Sequence, residues 1–169
     1  MPARSTAWYP VGDLLALARQ SWLGEMASRL AGLGYPGYRR SDTAATRLLR
    51  RGPVPVGQLG AVLGVTRQAA RKVADGLQQR GYATTRRDLR DSRQLNVTLT
   101  PAGQHYAQAV TAVIEELNYE VCQRADPAGL AAADTVLRAA LFDDSTRQRA
   151  ARLPRPHSPD TPAQPTDAW

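Results

Sequence analysis

The hydrophobic period of this chain changes abruptly at Gly81, and that change limits the architectures open to it. Upstream, Leu59, Val62 and Leu63 are apolar at helical spacing, and Ala70, Val73, Ala74 and Leu77 continue the pattern. Downstream, Leu95, Val97 and Leu99 alternate with Asn96 and Thr98, the period of two that belongs to a strand. With the Thr-rich YATTRR segment before it, this run predicts a β-hairpin whose tip is the charged stretch from Arg87 to Gln94. Gly64 supplies a turn between the two helical segments, and Thr66 caps the second of them, Arg67 to Gln79. Helix, glycine turn, capped helix and basic-tipped hairpin together describe a winged helix-turn-helix.

The flanking sequence is helical. Leu14, Ala18, Trp22, Met26, Leu30 and Leu33 recur every three or four residues and predict a helix from about Val11 to Leu33. GLGYPGY interrupts it, and Ser41 or Asp42 offers an N-cap for a second helix, Asp42 to Arg51, which Gly52 and Pro53 end. Thr100 followed by Pro101 opens a helix through Tyr106, Val110, Val113, Leu117 and Val121, and Asp126 with Pro127 repeats the signal for a last helix to about Phe142. The fold expected is mainly α, with a two-stranded hairpin wing. Its division is an N-terminal dimerisation helix and linker at 1–38, the winged helix-turn-helix at 39–100, C-terminal dimerisation helices at 101–142, and a disordered Pro-rich tail at 143–169.

Charge is concentrated where the hairpin and its helices lie. Residues 39–100 carry thirteen Arg or Lys against four acids, more than the whole net charge of +7, while 101–169 are net acidic. A basic middle flanked by near-neutral scaffold fits a polyanion partner. A single cysteine, Cys122, and two histidines leave no zinc-finger ligand set and no internal disulfide. No metal or cofactor is expected. His105 and His157 lie far from Cys122 in sequence, and no phosphate-binding glycine loop or nucleophile elbow is present, so the chain is not expected to be an enzyme. No apolar run approaches the ~20 residues of a membrane span and no secretory signal is visible. A cytoplasmic, nucleoid-associated protein is the expectation.

On the capped helix, Thr66, Arg67, Gln68, Ala69, Arg71 and Lys72 form the candidate DNA-reading set. Arg and Lys donate to guanine O6 and N7, and Gln pairs bidentately with adenine in the major groove. On the wing, Arg86, Arg87, Arg90 and Arg93 offer an arginine to a narrow minor groove. Asp91 either holds Arg90 or Arg93 extended through a charge-assisted hydrogen bond or closes the turn with its side chain.

Over Leu63 to Gly103, the segments LGVTRQAARKVADGLQQRGY and RRDLRDSRQLNVTLTPAG resemble the MarR (multiple antibiotic resistance regulator) family of bacterial winged-helix transcription factors. The resemblance implies that a helix like Thr66 to Gln79 enters the major groove. It also implies that a wing with Asp, two residues, Asp, one residue and Arg, here Asp88, Asp91 and Arg93, reaches the minor groove. Terminal helices that dimerise are implied as well, in agreement with apolar stripes too broad for a core of roughly 60 residues to cover. The expected protein is a sequence-specific, ligand-responsive repressor, a homodimer on an inverted-repeat operator in double-stranded DNA. The alternative is a winged-helix module for protein contacts without specific DNA binding. Relatives respond to small aromatic ligands at the junction between dimer region and winged helix, and Trp22, Tyr35, Tyr38 and Tyr106 are the candidate lining here. Cys122 reads as a buried or partly buried structural thiol with no second cysteine to resolve a sulfenic acid.

Overall fold

The computed structural model describes residues 10–88 and 94–151. The chain falls into two compact units, Met1–Ile114 and Glu115–Trp169. The first holds α1 (Val11–Gly32), α2 (Arg40–Leu49), β1 (Val54–Pro55), α3 (Val56–Leu63), α4 (Arg67–Gln79), β2 (Ala83–Arg87), β3 (Leu95–Leu99) and the beginning of α5 (Pro101–Arg124). Its core includes Met26, Leu30, Leu59, Leu77, Val97, Tyr106 and Val110, each at most 1% exposed. Helices α1 to α5 each bury apolar residues in it, although in α1 the burial is confined to Met26 and Leu30, and Leu14, Ala18 and Leu33 of its expected stripe are exposed.

The helix-turn-helix is set by backbone chemistry at Gly64 and Gly60. Gly64 takes φ +67°, and the Val65 N–H donates to Gly60 O at 3.0 Å, ending α3 in a left-handed turn that L side chains enter at a cost. At Gly60 a Cβ would meet Val65 O at 3.1 Å and Ala70 Cβ at 3.4 Å, so the missing side chain lets α4 cross α3 closely. At the far end of α4, Gly81 at φ +75° repeats the device, with Tyr82 N–H donating to Leu77 O at 2.9 Å.

The hairpin pairs Ala83 with Leu99, Thr85 with Val97 and Arg87 with Leu95, antiparallel. Among the described residues the sheet has three strands instead of the expected two, in the order β1-β3-β2, because Val54 and Pro55 pair with Val97 and Asn96. Two residues, one a proline, carry no alternation from which a strand is legible. α2 begins at Arg40, two residues earlier than expected. Asp42 is not its N-cap: it stands in the first turn, and its carboxylate reaches back to accept the Arg39 N–H at 3.0 Å, satisfying a donor that the cap would otherwise leave open.

The second unit holds the rest of α5, α6 (Pro127–Ala139) and α7 (Asp144–Ala151). Asp126 caps α6 through Gly129 N–H at 2.8 Å, with Pro127 at the first helical position as expected, and the helix ends at Ala139, short of Phe142. α7 corrects the placement of a disordered tail from 143. Asp143 accepts from Thr146 N–H at 2.8 Å and from Ser145 Oγ at 2.6 Å, and these bonds, Ser145 first, hold its carboxyl below the usual carboxylate range. That cap starts one more short helix. Residues 152–169 lie outside the described residues.

Candidate nucleic-acid interface

Helix α4 is built to present its N-terminal half. Thr66 takes an extended conformation, and its Oγ1 accepts the Ala69 N–H at 3.2 Å, closing the first turn. Ala70, Ala74, Gly76 and Leu77 are buried along one side, while Thr66, Arg67, Gln68, Arg71 and Lys72 are exposed. Ala69 is half-buried and lines a shallow depression with Gly60, Ala61, Gly64, Val65 and Thr66. No acidic residue sits in the first turn. The partial positive charge of the helix terminus and the cations beside it therefore add, as an anion-binding helix start requires.

Arg71 does not stand alone. Its Nε donates to Asp75 Oδ1 at 2.8 Å, one turn on, with both side chains about half exposed. Such a pair is worth only about 0.3–0.5 kcal/mol, so it orders the arginine without committing it. The i,i+4 spacing of Arg71 and Asp75 was available in the sequence. A cavity of about 340 Å³ lies beside this helix, lined by Val56, Arg67, Gln68, Arg71 and Leu95, joining α4 to the base of the wing.

On the wing, Arg86 and Arg87 are exposed on β2 opposite Asn96 and Leu95. Arg90, Asp91 and Arg93 lie outside the described residues. The last described contacts before the tip are Asp88 N–H to Gln94 O at 2.9 Å and Asn96 Nδ2 to Asp88 Oδ2 at 2.9 Å. The first aspartate of the wing pattern therefore holds the two strands together across the base of the tip.

The aromatic set divides. Tyr35 and Tyr106 lie with ring centroids 5.5 Å apart, and Tyr82, which the sequence did not single out, stacks on Tyr106 at 4.2 Å. Tyr106 is fully buried and its hydroxyl donates to Asp42 Oδ2 at 2.7 Å. Burial first, then that bond, raises its pKa well above the tyrosine range. Tyr38 shares a 2.8 Å hydrogen bond with Thr43 Oγ1 and is half-buried, and burial raises its pKa too. Trp22 is half-buried on α1 and shares no ring contact with the other three among the described residues.

Asp42 itself is 1% exposed and accepts from Arg80 Nη1 at 2.8 Å and Nη2 at 3.0 Å. Burial disfavours the charge on Arg80, but the Asp42 carboxylate outweighs it and the guanidinium pKa is raised. These partners are 38 residues apart, and nothing local in the sequence joins them. Among the described residues no group of three or more His, Cys, Asp or Glu could hold a metal ion, and no helix is long and apolar enough to cross a membrane. Cys122 is exposed.

Residues 46–94, from within α2 to the wing, match the model of the MarR family. No curated protein matches the chain. Among solved structures, a probable transcriptional regulator from Pseudomonas aeruginosa is 25% identical with a TM-score of 0.63, over 76% of this chain and 95% of that one. A cysteine-to-serine mutant of MarR from E. coli, complexed with operator DNA, is 19% identical with a TM-score of 0.65, over 78% of this chain and 94% of that one. BpsR of Bordetella bronchiseptica, whose DNA binding is regulated by 6-hydroxynicotinic acid, is 19% identical with a TM-score of 0.63, over 85% and 98% of the two chains.

Proposed function

We propose that this chain is a winged-helix protein of the MarR family and a DNA-binding transcriptional regulator, acting as a homodimeric, ligand-responsive repressor on an inverted-repeat operator. The observation that carries the reading is the capped N-terminal half of α4, where Arg67, Gln68, Arg71 and Lys72 are exposed together beside a wing that bears Arg86 and Arg87. Groove-reading donors stand there over a helix terminus that favours anions, in the one region where cations outnumber acids threefold. Arg90, Asp91 and Arg93 extend the same surface in this proposal, with the arginines toward the minor groove.

Two copies are proposed because one helix and one wing read too few base pairs to specify a site. Leu14 and Leu17 on α1, and Tyr119, Leu137 and Phe142 in the second unit, are large apolar side chains left exposed, Phe142 to 87%. Surface of that kind on a single chain is what a second copy covers. The recognition helices then lie about 34 Å apart, one turn of duplex. For the ligand, Trp22 and Tyr35 are the candidate contacts, since the phenols of Tyr106 and Tyr38 already bond to Asp42 and Thr43. The operator-bound MarR and the 6-hydroxynicotinic acid-regulated BpsR support both halves of the reading by likeness of fold.

The test is selection of bound fragments from random DNA, followed by a salt titration on the winning sequence. A two-fold symmetric site is expected, with log affinity falling linearly in log salt as phosphates release counterions. Retention of no fragment at low salt would overturn the proposal in favour of a protein-contact module. Tight specific binding by a species of monomeric mass at micromolar concentration would overturn the dimer.

A further inference from the structure

We infer that Asp42, with Arg80 and Tyr106, is a positioning device that sets the angle of the DNA-reading helix α4, and that discrimination between operator and other DNA depends on it. The inference rests on the proposed function. Asp42 belongs to α2, Arg80 caps the C-terminal end of α4, and Tyr106 belongs to α5, so a single carboxylate ties three helices of the first unit together.

Every polar atom of the cluster is engaged. Asp42 accepts from the Arg39 N–H, both terminal nitrogens of Arg80 and the Tyr106 hydroxyl. Two further Arg80 donors reach backbone oxygens: Nε bonds Gly76 O at 3.0 Å, within α4, and Nη1 also bonds Gly37 O at 3.0 Å, in the segment before α2. Its guanidinium lies 5.3 Å from the Tyr82 ring centre and 5.8 Å from that of Tyr106. A buried ion pair contributes little net stability compared with well-packed apolar groups, because desolvation of both charges offsets their attraction. What a two-pronged guanidinium–carboxylate contact does supply is a fixed direction.

Direction matters at this place because of leverage. Arg80 lies fourteen residues from Thr66, about 21 Å along the helix axis at 1.5 Å per residue. A tilt of about 5° at the Arg80 end moves the Thr66 end by roughly 2 Å, enough to take a base contact out of the 2.7–3.2 Å range of a hydrogen bond. Phosphate attraction, longer in range and tolerant of position, survives such a shift. The cluster therefore acts on sequence readout and leaves charge-driven binding alone, although none of its three side chains belongs to the DNA-reading set.

The decisive variant is Tyr106→Phe, which removes one donor to Asp42 and keeps the ring stacked on Tyr82. Arg80→Lys, which keeps the charge and gives up the two-pronged contact, is the second. Each is compared with wild type for affinity to the selected operator and to a scrambled duplex of equal length, at two salt concentrations, with the thermal melt and the mass recorded alongside. The expected result is a loss of operator affinity of about tenfold, the factor that corresponds to one hydrogen bond to a charged group, with scrambled-duplex affinity and salt slope unchanged. The double variant is expected to lose less than the product of the single losses, since both act on one carboxylate. Retention of the full operator preference by both folded variants would overturn the inference. So would a parallel fall in affinity for both duplexes, which is the mark of lost folded protein. Failure of the wild-type chain to bind any duplex would instead remove the proposed function, and this inference with it.

Discussion

Gly103→Ala is expected to unfold the winged-helix unit far more readily than a one-carbon change normally does. Gly103 is buried in the first turn of α5, and a Cβ built there falls on the Tyr82 carbonyl oxygen, 2.7 Å from the carbonyl carbon and 3.1 Å from Tyr82 Cα. Both partners are backbone, so no side chain can swing aside. Relief requires moving the start of α5 away from the strand-leading residue Tyr82, which strains Thr100 N–H to Tyr82 O at 3.1 Å and Thr100 Oγ1 to Gly81 O at 2.6 Å. Overpacking costs about 1–3 kcal/mol and each weakened bond about 1 kcal/mol, while alanine returns up to about 1 kcal/mol as the better helix former. The net is a destabilisation of about 3 kcal/mol, which for a unit of this size lowers Tm by roughly 12 °C. Gly57→Ala is the control. It sits exposed in α3 with nothing within 4 Å of the new carbon, and a gain of about 0.5 kcal/mol is expected. Thermal melts by circular dichroism check both, and a Gly103→Ala Tm within about 2 °C of wild type would refute the steric argument.

Thr66→Ala removes the cap oxygen that holds Ala69 N–H and should cost about 1 kcal/mol in urea unfolding, with Thr66→Ser restoring most of it. Arg71→Ala or Lys72→Ala should cost about 1–3 kcal/mol at one operator position and relax the base preference there, whereas an equal loss across all sequences would identify a phosphate contact instead. High pH should destabilise the fold through Tyr106, whose buried phenol keeps its proton above the pH at which an unfolded tyrosine loses it. The unfolded state then binds fewer protons, so stability falls as pH rises above about 10, by about 1.4 kcal/mol per pH unit for this one group. Urea midpoints measured between pH 9 and pH 11.5 should fall less steeply for Tyr106→Phe than for wild type, and parallel slopes would refute the assignment.

Helix α4 was legible to the residue, Arg67 to Gln79, because its cap, its apolar period and its glycine stop all lie within its own stretch of chain. The strands Ala83–Arg87 and Leu95–Leu99 were legible for the same reason, since alternation is local. What escaped the sequence depends on partners far along the chain. Val54 and Pro55 become a strand only because Val97 lies beside them. Asp42 looked like a cap because its type suits one, yet it works as the acceptor for Arg80 and Tyr106, 38 and 64 residues away. The exposed set Arg67, Gln68, Arg71 and Lys72 followed from helical periodicity alone, whereas the bond from Arg71 to Asp75 needed attention to pairs one turn apart. Tyr106 was placed in a ligand cleft on its aromatic character; its burial and its bond to the Asp42 carboxylate are tertiary facts.

The short strand β1 also settles what the sheet cannot do. It is an edge strand, it is two residues long, and Pro55 has no N–H to offer a neighbour. The opposite edge, β2, carries Arg86 and Arg87, whose like charges discourage a second sheet from zipping alongside. Among the described residues, neither margin of the sheet offers a ready template for the addition of a further strand.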